Sequence, residues 1–252
     1  MNLRLAEVRR AAFLAVGLGL ATTAFVGCGV EAYEARMEQR KKGLELEGKF
    51  NLLERKPFSV VDPAKAPDVD VTLRRPLLFG PKVLNEQSGD PNQPSKPIPK
   101  DRVQPPFLEI PGFQLTFEEL RRAGDNGMRP ISFYVGVQPI ESESLDKLAA
   151  DLKKAFPEAD TSWKTERLLK PDGSMIEWKS IAVSGLMGFF TPGFNAAESL
   201  PGRFAILVRD EAGHQVFLAA RGPESAPETS QAVEALKMAA GTVGVVRRTA
   251  AK

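Results

Sequence analysis

The chain has 252 residues, with 34 Lys and Arg against 32 Asp and Glu, one cysteine and one histidine. A lone cysteine and a lone histidine exclude an internal disulfide and a His/Cys metal cluster. A hydrophobic share of 42% is ordinary for a folded domain and too high for general disorder. The balanced overall charge leaves no basic footprint for nucleic acid or for anionic lipid.

Arg4, Arg9 and Arg10 precede an uncharged run of 16 residues from Ala11 to Val26, and Phe25-Val26-Gly27-Cys28 sets a small residue before the only thiol. A membrane-spanning helix needs about 20 apolar residues, so this run reads as a cleaved signal over residues 1–27. The pattern resembles the lipobox of bacterial lipoproteins, with Phe25 where leucine is usual. The resemblance implies that Cys28 begins the mature chain and carries lipid on its sulfur and amine, as an anchor and not a catalyst. Gly29 stands where inner-membrane retention signals often carry Asp, which turns the expected address towards the outer membrane. Without the signal the chain holds 31 basic and 31 acidic side chains, a formal charge of zero.

Val30, Tyr33, Met37 and Leu44 fall near helical spacing, with Glu38 four residues ahead of Lys42, so residues 28–50 read as a lipidated start and a short charged stalk helix. No sustained heptad follows. From Pro57 to Pro111 the chain carries 12 of its 20 prolines, which predicts a linker over 51–106. One island interrupts it: Val69, Val71 and Leu73 alternate, which predicts an edge strand over 69–79, the alternative being a loosely packed arm.

Residues 107–248 read as the folded domain. Phe113, Leu115 and Phe117 alternate, Gly124-Asp125-Asn126-Gly127 marks a turn, and Ile131 to Val137 is apolar, a hairpin pattern. The capping-box spacing of Thr116 and Glu119 competes with it, offering a short helix over 117–123. Ser142 opens a helix to about Phe156, stopped by Pro157, with Leu145, Leu148 and Leu152 on one stripe.

Pro171-Asp172-Gly173 then joins two strands. A three-residue loop there sets Arg167 opposite Glu177 and Leu168 opposite Ile176, whereas shorter or longer loops oppose like charges. A further hairpin turns at Asp210-Glu211-Ala212-Gly213, and a last helix spans about Glu228 to Gly241. The sum is an α+β domain, a largely antiparallel sheet covered by two helices in an αβ sandwich.

CGVEAYEARMEQRKK after the signal, then a proline-rich stretch and PPFLEIPGFQLTFEEL, resembles planctomycete-type bacterial lipoproteins. The downstream order of elements loosely resembles the photosystem extrinsic-subunit (PsbP-like) sandwich. Neither resemblance supplies a catalytic motif, and the one functional residue either implies is Cys28.

Chemistry is sparse elsewhere. His214 follows Gly213 and reads as a solvated turn residue. Ser144 and Lys147 have the S-x-x-K spacing of penicillin-recognising enzymes without their companion motifs, and Ser144 sits where helix starts favour serine. Glu118 with Glu119, or Asp172 with Glu177, are carboxylate pairs whose spacing carries no specific geometry. The apolar segment Leu186 to Phe194 reads as a loop offering Phe189, Phe190 and Phe194 to a partner or lipid, unless the rings tuck over the sheet as core. No metal or cofactor is expected. The expectation is a lipid-anchored envelope protein, held in the membrane through Cys28, that binds or scaffolds an envelope protein or lipid without catalysis. The alternatives are a small carboxylate-using envelope hydrolase and a carrier of apolar ligands or lipid.

Overall fold

The computed structural model describes residues 32–64, 66, 68–80, 83–84, 89–90, 93–97, 103–141, 143–190 and 197–248. The chain divides into two units, residues 1–49 and residues 50–252. Cys28 and the signal lie outside the described residues. In the first unit, residues 32–48 form helix α1, as the spacing of Tyr33, Met37 and Leu44 predicts.

The second unit is built on seven strands: β3 (Val83–Leu84), β6 (Phe113–Arg122), β7 (Met128–Pro139), β8 (Lys164–Leu169), β9 (Met175–Phe190), β10 (Ala197–Glu211) and β11 (His214–Pro223). They lie in the order β3-β6-β7-β11-β10-β9-β8, every neighbouring pair antiparallel. Two helices cover it, α2 (Ser144–Ala155) and α3 (Glu228–Gly241), so the α+β class stands. A smaller sheet joins β1 (Phe58–Ser59), β2 (Val69–Leu73) and β12 (Gly244–Arg247), and a separate ribbon pairs β4 (Gly89–Asp90) with β5 (Gln93–Pro97).

Strand alternation sorts the core into two layers. Phe117, Phe133, Val135, Leu207 and Leu218 face one side, where Ala232, Ala235, Leu236 and Ala239 of α3 pack with Val69, Val71 and Leu73 of β2. Tyr134, Ile181, Val183, Phe204 and Phe217 face the other, under Leu148 and Leu152 of α2.

Turn chemistry explains the hairpins. The β6–β7 pairing runs from Phe113 to Arg122, so the helix suggested by Thr116 and Glu119 does not form; side chains buried along that strand outweigh a local cap. In β8–β9 the three-residue loop holds: Arg167 faces Glu177, Leu168 faces Ile176, and Gly173 sits at φ 85. Ala212 (φ 53) and Gly213 (φ 83) close β10–β11 as a two-residue turn, so both strands run further than the four-residue turn predicts.

Two boundaries need correction. The stretch 51–106 is not a linker throughout, because Phe50, Leu53, Val60, Val61 and Phe79 are buried in the same cluster as α3. Nor is the strand at 69–79 an edge strand of the domain. It spans Val69–Leu73 and is central in the small sheet, between β1 and β12. Its inward residues Val69, Val71 and Leu73 are wholly buried, and hydrogen bonding on both sides explains how a strand survives inside a proline-rich stretch.

Candidate functional site

A strap of residues 103–112 crosses the second face of the sheet beside α2. Leu108 and Ile110 enter that face's core, and the Phe107 ring packs edge-on against Phe156 (4.9 Å) and Phe204 (5.3 Å). Polar ties set its path. The Ile110 N–H donates to Gln104 Oε1 (3.0 Å), the Thr116 hydroxyl donates to the Val103 carbonyl (2.5 Å), and the Val137 N–H donates to the Gly112 carbonyl (2.9 Å). Gly112 (φ +57) and Gly136 allow this approach, since a methyl group at Gly112 would collide with the Val137 carbonyl and one at Gly136 with the Pro111 carbonyl.

Between strap and helix lies an open trough of about 1220 Å³. Ile110, Phe113 and Leu148 supply its apolar floor, with Gln104, Gln114, Gln138 and Ser144 as polar floor. Among the described residues its rim carries Glu109, Glu141, Glu143, Asp146 and Asp151 against a single cation, Lys147. A shoulder of about 640 Å³ continues it past Pro105 and Phe107 to Lys154.

The floor is a satisfied network. Gln114 donates to the Gly112 carbonyl (2.9 Å) and accepts from the Asp62 N–H (3.1 Å), while the Ser144 hydroxyl bonds Gln215, which Gln138 also reaches (3.3 Å). The S-x-x-K reading therefore has no geometry: Ser144 is buried in that network, Lys147 is exposed, and among the described residues no hydrogen bond joins them.

The other sequence candidates are scattered. Glu118 and Glu119 are neighbours on β6, and Glu119 Oε2 lies 3.4 Å from the Gly80 N–H as its acceptor. Asp172 caps its own loop, accepting from the Ser174 N–H (2.9 Å) and hydroxyl (2.6 Å), while Glu177 pairs with Arg167 (3.0 Å). Neither pair frames a cleft. His214 is buried, not solvated, its Nε2 standing 3.3 Å from Asp68 Oδ2, because the tight turn carries it into the pairing with Pro139. Among the described residues no group of His, Cys, Asp and Glu is arranged to hold a metal ion, and no helix is long and apolar enough to cross a membrane.

The segment 186–190 is strand, not loop. Phe189 is fully buried in the second core layer because β9 continues its alternation through Val183 and Met187, so it is not an exposed contact. Phe190 pairs in backbone with Ala197, and its side chain, like Phe194, lies outside the described residues. The trough was missed in the sequence. Its walls come from the strap, where Leu108, Ile110 and Gly112 were the available signal, and from a helix thirty and more residues later.

What these elements define is an α+β domain with an open, acid-rimmed trough on one sheet face. No protein-family model matches the chain, and no curated protein matches it. Among solved structures it is similar to cyanobacterial PsbP (CyanoP) from Synechocystis sp. PCC 6803, at 10% identity over 77% of this chain and 94% of that one, with a TM-score of 0.37. It is also similar to LpqN, involved in cell envelope biogenesis of Mycobacterium tuberculosis, at 11% identity over 76% and 91%, with a TM-score of 0.36. At those values neither likeness transfers a residue or an activity.

Proposed function

We propose that this chain is a lipid-anchored envelope protein, tethered through Cys28, whose domain is a non-enzymatic binding module that takes a cationic, extended peptide segment in its trough. The supporting observation is the rim of five carboxylates against one ammonium among the described residues, set over a floor that offers both apolar and amide surface. A chain with basic side chains meets complementary charge at the rim and buries its apolar stems below. The same carboxylates are what a hydrolase reading would use. A general acid, however, is held in apolar surroundings that favour its protonated form, and Glu109, Glu141, Glu143 and Asp146 are exposed. A lipid carrier would need an enclosed apolar chamber, and this trough is open with a charged rim.

The test uses the full lipidated chain in detergent with a fluorescent oligolysine peptide and a Gly/Ser peptide of equal length. The triple variant Glu141→Gln, Glu143→Gln, Asp146→Asn changes exposed residues and should leave folding intact. Oligolysine binding should weaken about tenfold or more in the variant and weaken with added salt in the parent protein. Equal binding by parent and variant refutes the trough as the site. Fatty-acid incorporation that persists after Cys28→Ala refutes the anchor.

A further inference from the structure

Helix α1 carries an exposed apolar stripe. Tyr33, Met37 and Leu44 are 63%, 45% and 69% exposed, and at 3.6 residues per turn they fall within about 40° of one another around the helix. Arg36 and Arg40 flank the stripe on one side and Lys41 on the other, within roughly 80° of Tyr33. Glu34, Glu38 and Glu45 lie further round, and Glu47 falls on the arginine flank in the helix's last residues.

We infer that α1 lies along the membrane surface, with Tyr33, Met37 and Leu44 facing the lipid and Arg36, Arg40 and Lys41 reaching anionic headgroups. The inference rests on the anchor proposed for Cys28. An acylated Cys28 leaves three residues before the helix, and the span from Cys28 to Ala32 is at most about 14 Å, so the stripe begins within contact distance of the bilayer. Long basic side chains beside an apolar stripe suit such a position, because their stems lie along the lipid while the charged ends reach phosphate. A second copy of the helix is a poorer occupant. The heptad containing Met37 and Leu44 at one core position places Tyr33, Arg40 and Glu47 at the other, so a paired seam would bury a guanidinium and a carboxylate in each strand. On the membrane those two groups stay at the water boundary.

The test exploits the single cysteine. If Cys28 is acylated through sulfur, an introduced cysteine is the only thiol that takes a nitroxide label. Met37→Cys places the label in the stripe, and Lys42→Cys places it on the opposite face. The full chain is reconstituted in vesicles of phosphatidylcholine with phosphatidylglycerol, and accessibility to oxygen and to a water-soluble nickel complex is read by power saturation. The label at 37 should favour oxygen several-fold over the label at 42, and the contrast should shrink when Arg36→Glu and Arg40→Glu are added or when the vesicles are phosphatidylcholine alone. Equally aqueous labels at both positions, or a contrast indifferent to headgroup charge, overturn the inference while leaving the anchor standing. Labelling of the unsubstituted protein at Cys28 shows instead that the anchor itself has failed, and the inference with it.

Discussion

The guanidinium carbon of Arg221 stands 5.1 Å from the centroid of the Phe189 ring, and its Nη1 donates to the Gly188 carbonyl at 3.2 Å. Arg221 belongs to β11 and Phe189 to β9, so the contact passes over β10, where Gly202 leaves the space. A methyl group at Gly202 would come within 2.7 Å of Phe189 Cζ. Both partners are buried, and a desolvated cation over an aromatic face contributes about 2 kcal/mol. Phe189 therefore ties the far end of the long hairpin to the middle of the sheet. Phe189→Ala should cost about 3–5 kcal/mol, read as a lower urea midpoint, and Gly202→Ala about 1–3 kcal/mol. A Phe189→Ala protein as stable as its parent would contradict this packing.

Gly136 makes a second test of close approach. Its missing side chain lets the strap lie directly on β7, where an added methyl group would also come within 2.8 Å of Ile110 Cγ2. Gly136→Ala should destabilise the domain by about 1–3 kcal/mol. It should also weaken oligolysine binding in protein that remains folded, because the strap is one wall of the trough. Destabilisation with unchanged binding per folded molecule would separate the strap from the site.

Limited proteolysis should leave a resistant fragment starting near Phe50 and not near Phe107. The reason is the complete burial of Val69, Val71 and Leu73 in the core cluster that also holds α3. A chain beginning at Phe107 would lose those side chains from its core, each worth about 1.5–3 kcal/mol of burial, and should show no cooperative unfolding by circular dichroism. Cooperative unfolding of that fragment would restore the shorter boundary.

Asp172 should titrate low. The Ser174 hydroxyl and then the Ser174 amide donate to its carboxylate, which lowers its pKa from the ordinary 3.8 to about 2. A carboxylate with a folded pKa below its unfolded one stabilises the fold above the unfolded value, and that contribution is lost as pH falls from about 4 through about 2. Asp160 behaves alike, held well below the usual range by the Ser162 hydroxyl, then the Ser162 amide, then Lys164. Carboxyl chemical shifts followed by NMR should show both midpoints below that of an ordinary aspartate, and Ser174→Ala should bring Asp172 back up. An unchanged midpoint in Ser174→Ala would remove the hydroxyl as the cause.

The parts of this fold that were legible are those set by local chemistry. Opposed charges picked the three-residue loop at Pro171-Asp172-Gly173, and the observed pairing of Arg167 with Glu177 has that register. The last helix runs from Glu228 to Gly241, where the apolar spacing placed it. The alternation of Val69, Val71 and Leu73 marked β2, but its partners were illegible because β1 is two residues long and β12 four, too short for alternation to register. His214 misled because a turn residue is ordinarily solvated, yet the tight Ala212-Gly213 turn returns it into pairing at once. Of the candidate site, Phe113 and Leu148 were legible as core positions, and Ser144 with Lys147 as a catalytic spacing that the fold does not support. The trough depends on where a proline-bearing strap lands, and tertiary contact alone decides that.

The pairing of β12 with β2 orders events in time. Val245 lies opposite Val71, so the small sheet is completed by residues at the far end of a long loop in sequence. While the chain is being made, the hairpins from β6 to β11 can pair as they emerge, yet the part of the face that α3 covers stays open to water until residues 228–241 arrive. For that interval the part of the face that α3 comes to cover is a wet apolar surface with Leu218 within it, while Phe117 and Phe133 can already hold Phe58 and Phe79 against them. Loss of residues 228–247 would make that exposure permanent without touching the trough on the opposite face.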